Sequence, residues 1–82
     1  MYYVYFIQSK VDKSVYVGST SDLVNRFKQH NSGKTKSTKS KIPYELIYYE
    51  AYLTKKQSRC RELEIKKSWS KKEEVLDRIT IE

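Results

Sequence analysis

Residues 14–30 read SVYVGSTSDLVNRFKQH, and a change of rhythm inside them decides the fold. Val15-Tyr16-Val17 is a strand-forming run, since β-branched and aromatic side chains suit a pleated sheet. After Gly18 the spacing becomes helical: Leu23 and Phe27 share one stripe at about 100° per residue, with Val24 beside them. Thr20 or Ser21 is placed to cap this helix, Asp22 suits its positive end, and Gly33 is placed to stop it. Asp22, Arg26 and His30 form an adjoining polar stripe at four-residue spacing. That stripe can be a solvated face, a phosphate contact or a catalytic pair, and spacing leaves the three open.

Upstream, residues 2–9 (YYVYFIQS) have the same strand character and join residues 14–20 through a short polar link. The pair reads as a β-hairpin. Tyr3, Tyr5 and Ile7 fall on one face, Tyr2, Val4 and Phe6 on the other. Both faces are apolar, so both need a cover, which calls for a layered domain. Downstream, GKTKSTKSKI (residues 33–42) is a basic loop carrying Lys34, Lys36, Lys39 and Lys41. Pro43 opens a third strand, YELIYYEAYL. Thr54 and Gln57 have capping-box spacing for a second helix, and Ser70 with Glu73 repeats it for a third carrying Val75, Leu76 and Ile79. The expectation is one α/β (α+β) domain over residues 1–82: a small three-stranded antiparallel sheet flanked by helices, in the order β-β-α-β-α-α.

Seventeen Lys and Arg stand against ten Asp and Glu, a net charge of +7. A basic surface on so small a domain is the electrostatic footprint of a nucleic-acid binder. One cysteine, Cys60, and one histidine, His30, cannot build a Cys/His zinc site or a disulfide framework. A free thiol suits a reducing, cytoplasmic setting. The opening MYYVYFIQSK lacks a leading positive region and reads as a strand, not a signal peptide. No run has the length of a membrane span.

The second helix carries a positional anomaly. With Glu62 at zero on a helical wheel, Ile65 falls near −60° and Trp69 near −20°, so Glu62 sits inside the apolar arc. Glu64 falls on the opposite side. An inward carboxylate needs a cation, a metal or hydrogen-bond donors. The residues alone leave Glu62 between a structural ion-pair partner and a metal ligand.

The stretches YYVYFIQS, SVYVGSTSDLVNRFKQHNSGK and RELEIKKSW together resemble the GIY-YIG nucleases over nearly the whole chain. The likeness is to small stand-alone bacterial members, similar in turn to the nuclease domain of the excision-repair incision protein. Tyr3-Val4-Tyr5 stands at the first motif triplet, with Tyr3 replacing its glycine, and Tyr16-Val17-Gly18 stands at the second. Arg26 and His30 match the family's helical Arg and His, and Glu62 within Arg61-Glu62-Leu63-Glu64-Ile65-Lys66 matches its metal-binding Glu.

The resemblance implies a metal-dependent endonuclease hydrolysing phosphodiester bonds in DNA in preference to RNA, at repair or recombination structures. One divalent ion, Mg²⁺ or Mn²⁺, would be held by Glu62, with Tyr5, Tyr16, Arg26 and His30 completing the catalytic set. Gly18 would allow close backbone approach. Lys34, Lys36, Lys39, Lys41, Arg61 and Lys66 would contact phosphates. Larger members attach a recognition domain that is missing here, so low sequence specificity is expected, or a protein partner that supplies it. Two other readings need no catalysis from the isolated chain: a nucleic-acid-binding module, and a subunit active only within an assembly.

Overall fold

The computed structural model describes residues 1–79. Strand β1 (Tyr2–Ser9) lies between β2 (Val15–Thr20) and β3 (Tyr44–Tyr52), antiparallel to both. Its central position explains its unbroken apolar run: Val4, Tyr5, Phe6 and Ile7 are all buried. Helix α1 (Leu23–Asn31) follows β2, a single 3₁₀ turn (Lys39–Lys41) precedes β3, and α2 (Lys55–Lys67) and α3 (Trp69–Ile79) close the chain. The α+β order β-β-α-β-α-α is as expected.

The sheet is covered on both faces by two separate cores. On one, Val4, Phe6 and Val17 meet Ile65 of α2 and Val75 of α3. On the other, Tyr5, Ile7 and Tyr44 pack with Tyr16, Leu23 and Phe27. Burying a side chain as large as Phe6 or Ile65 contributes about 1.5–3 kcal/mol, so each face matters to so small a fold.

Local chemistry sets the boundaries and departs from expectation in three places. Asp22, not Thr20 or Ser21, caps α1, its carboxylate accepting from the Asn25 amide at 3.1 Å. Gly33 does end that helix: it adopts φ +81°, and the Lys34 amide reaches back to the Gln29 carbonyl, the Schellman arrangement. The Thr54/Gln57 capping box is formed as expected. The box at Ser70 is not where α3 begins. The backbone extends at Ser68 (φ −121°, ψ 110°), and α3 starts at Trp69 with Ser70 already inside it. Trp69 therefore leaves the apolar arc of α2 and stands 71% exposed.

The basic loop is anchored more firmly than its composition suggests. Asn31 brackets Tyr44, accepting from its amide at 2.7 Å and donating to its carbonyl at 3.0 Å. Buried Ser9 donates to the Lys41 carbonyl at 2.7 Å, and buried Thr38 turns inward from the loop.

Candidate active site

Tyr5 sits opposite Gly18 across the β1–β2 ladder, and its ring lies over that glycine. A Cβ on Gly18 would fall 2.6 Å from the Tyr5 Oη and 3.1 Å from the Tyr16 ring. Glycine is required there because the tyrosine pair fills the space. The Tyr16 ring is 6.4 Å from that of Tyr5 and 5.1 Å from that of His30. Tyr5 is only 1% exposed, whereas Tyr16 is half-buried at the edge of the sheet.

His30 is fully buried at the end of α1. Its Nε2 lies 2.7 Å from the Tyr5 Oη, and its Nδ1 lies 3.0 Å from the Thr38 Oγ1. The Thr38 hydroxyl donates to the Thr35 carbonyl at 3.3 Å, so its oxygen accepts from the imidazole. That assigns the proton to Nδ1 and leaves Nε2 to accept the Tyr5 hydroxyl. Burial, assisted by Arg26, pushes the His30 pKa down to about 4, so the ring is neutral at pH 7. Burial raises the Tyr5 pKa, while the Arg26 guanidinium beside it pulls the other way.

Glu62 enters from α2. Its side chain is 12% exposed, with one oxygen accepting from the Ser19 Oγ at 2.6 Å and the other from the Lys66 Nζ at 2.7 Å. Burial works to raise its pKa, but Lys66 and Ser19 outweigh it, with Arg59 adding to the effect, and the carboxyl is held below its ordinary value. Lys66 also lies 5.7 Å from the Tyr16 ring centroid and so joins carboxylate and tyrosine. Arg26 donates to Gln29 at 3.1 Å and lines a polar cavity of about 480 Å³ with Ser19, Lys55 and Arg59. Side chains from β1, β2, α1 and α2 thus meet at the β2 edge of the sheet.

The GIY-YIG catalytic domain pattern matches residues 1–74, spanning all of these positions. The chain belongs to the GIY-YIG family. It is 41% identical over 75 residues to the UPF0213 protein YazA of Bacillus subtilis, covering 90% of this chain and 75% of that one. It is 34% identical over 76 residues to UPF0213 protein HQ_3675A of Haloquadratum walsbyi, covering 92% and 84%. The solution structure of UPF0213 protein BH0048 from Bacillus halodurans superposes with a TM-score of 0.59 at 38% identity, covering 94% of this chain and 84% of that one. None of these three carries an excision-repair name, and they lend no support to the expected likeness to the incision nuclease.

A GIY-YIG centre is associated with a divalent ion, and the donor set here suits one kind. No group of three or more His, Cys, Asp or Glu side chains converges among the described residues. A single carboxylate fits an ion such as Mg²⁺, which keeps most of its waters and borrows substrate phosphate oxygens. Glu62 would be its protein ligand. Lys66 already holds one carboxylate oxygen, so the ion and the ammonium compete for it.

Of the residues expected to touch phosphate, Lys34, Lys36 and Lys39 are exposed, while Lys41 pairs with Asp12 at 3.4 Å. Among the described residues no contact joins these lysines to the Tyr5–Glu62 cluster; Thr38 is what ties their loop to it. Arg61 is engaged with carboxylates. It faces β3, donating to Glu50 at 2.9 and 3.2 Å and to Glu64 at 2.6 Å. Glu50 also accepts from the Tyr48 and Tyr52 hydroxyls, and Arg61 holds the fold there because its guanidinium fork is spent on carboxylates. Ser19 and Thr38 were missed. Strand alternation places Ser19 on the face of Val17, toward α2; nothing local marks Thr38.

Proposed function

We propose that this chain is a metal-dependent endonuclease that hydrolyses DNA phosphodiester bonds with little sequence selectivity of its own. The observation that carries the reading is the meeting of Tyr5, Tyr16, Arg26, neutral His30 and Glu62 at one sheet edge. Arg26 binds a phosphate oxygen with a guanidinium suited to that geometry. Tyr16, the more accessible of the two tyrosines, orients the attacking water. His30 holds the Tyr5 hydroxyl proton at Nε2, which turns the remaining lone pairs of that oxygen outward. Those lone pairs accept a hydrogen bond from the attacking water and orient it, and the water's proton passes to solvent as the nucleophile forms. Ser19 fixes the carboxylate of Glu62. Glu62 would hold a divalent ion, which would supply neutralisation of charge on the scissile phosphate and its leaving oxygen. Lys34, Lys36 and Lys39 add sequence-independent phosphate contacts, and selectivity comes from DNA structure or from a protein partner.

A second reading is favoured by one observation. The Lys66–Glu62 ion pair neutralises the inward carboxylate without a metal, as a binding module with little catalysis requires. Incubating the protein with branched, nicked and linear DNA, with Mg²⁺ or Mn²⁺, separates the two. Cleavage lost in Glu62→Gln supports the nuclease. Tight, salt-sensitive binding with no cleavage of any substrate supports the module, and cleavage unchanged in Glu62→Gln sinks the assignment.

A further inference from the structure

Beside Tyr16, on the side of Glu62 away from the Arg26 cavity, lies a second cavity of about 420 Å³. Val17 and Ile65 line it, Lys66, Lys67 and Lys72 bring positive charge, and Trp69 completes it. We propose that this cavity is a stacking subsite for an unpaired nucleotide adjoining the scissile phosphate, its base lying on the Trp69 indole. The proposal rests on the nuclease reading and names the form of DNA that the same site takes.

Trp69 is unused by the core. The backbone break at Ser68 turns it out to 71% exposure, although a large apolar ring is costly to leave in water. Lys72 Nζ stands 5.8 Å from its ring centroid and donates to the Val15 carbonyl at 3.3 Å. An ammonium over one face steadies the indole and leaves its other face for a planar partner, and Lys72 keeps two further protons for a phosphate. A volume of about 300–1,000 Å³ is usual for small-ligand sites, and the cavity falls within it.

Charge selects the occupant. Three lysines beside an aromatic face make the pairing used for single-stranded nucleic acid, a cationic track for the backbone with a ring for the base. Lys66 touches both Glu62 and the cavity, which fixes the subsite next to the reacting phosphate. The cavity on the other side, with Arg26, Lys55 and Arg59, suits phosphates. Bases in an intact duplex are stacked on one another, so only an unpaired or extruded base can lie on Trp69. The site therefore favours single-stranded ends, flaps and gaps over closed duplex.

Trp69 is the sole tryptophan of the chain, so fluorescence excited selectively at the indole, beyond tyrosine absorption, reads this cavity. The intact protein, without added metal, is titrated with a short single-stranded oligodeoxynucleotide, with the same sequence closed as a hairpin duplex, and with polyglutamate. The expected result is quenching by the single strand and little by the hairpin. Trp69→Ala and Trp69→Phe carry no indole, so their binding is read from the anisotropy of a dye-labelled oligonucleotide: Trp69→Ala should weaken single-strand binding about 5- to 100-fold, Trp69→Phe should retain most of it, and hairpin binding should change little. Unchanged emission at saturating single strand, or equal affinity in Trp69→Ala, overturns the subsite. So does polyglutamate quenching as strong as that of the single strand, which would mark an acidic-protein surface. Quenching without cleavage under any metal condition would support the subsite while refuting the nuclease reading, so the two fail separately.

Discussion

The proton economy proposed for the site requires His30 to be neutral, and that requirement has a measurable consequence in stability. Burial lowers the folded-state pKa of His30 from 6.5 to about 4. Between those values the unfolded chain binds a proton that the folded chain refuses. The stability associated with neutral His30 is therefore fully present above pH 6.5 and is lost as the pH falls toward 4. Between about pH 7.5 and about pH 4.5 the loss amounts to about 2–3 kcal/mol, a large share of what a domain this small possesses. Urea unfolding at the two pH values measures it. His30→Asn carries the same carboxylates, so Glu50 and Glu62, both held below their ordinary values, affect both proteins alike. The wild type should lose about 2–3 kcal/mol more than the variant. Because His30 is the only histidine, its titration can also be followed by NMR as one resonance. A pKa near 6.5, or equal pH dependence in the two proteins, would refute a buried imidazole whose protonation is suppressed by its surroundings.

Gly18→Ala should destabilise the fold by about 1–3 kcal/mol, because the added carbon meets the Tyr5 hydroxyl at 2.6 Å. It should also cut cleavage about 100-fold, since moving Tyr5 by about 1 Å breaks its alignment with His30; steady-state rates with thermal melts check both. Arg61→Ala should cost about 1–3 kcal/mol in urea unfolding by leaving the Glu50 carboxylate short of its donor, with no change in the salt dependence of DNA binding. Lys34→Ala, Lys36→Ala and Lys39→Ala should each lower the slope of log K against log salt by about one. Lys41→Ala should lower it less, because Lys41 is engaged with Asp12.

The strands and helices were legible because their signals are local: near-continuous β-branched and aromatic runs in β1 and β2, the Thr54 capping box, and Gly33 at the end of α1. Glu62 was legible for a physical reason, a carboxylate inside an apolar arc. Its partner Ser19 was not, because the two are 43 positions apart and only the packed sheet joins them. The pairing of Arg61 with Glu50 was not legible, because Glu50 lies on a strand remote in sequence. The cap of α1 shifted to Asp22 because a carboxylate there reaches the Asn25 amide. Trp69 was placed with the core because the wheel assumed one helix through residue 69, while the chain breaks at Ser68. That break creates the exposed indole on which the proposed subsite depends.

The central claim is that Glu62 serves a divalent ion within the tyrosine, arginine and histidine cluster. Anomalous diffraction from crystals soaked in Mn²⁺ tests it most directly. The account predicts one manganese peak within coordination reach of the Glu62 carboxylate, facing Tyr16 and Arg26, with the Lys66 ammonium displaced from its oxygen. A protein that cleaves DNA in solution, yet shows Lys66 still bound to Glu62 and manganese elsewhere or absent, would contradict it.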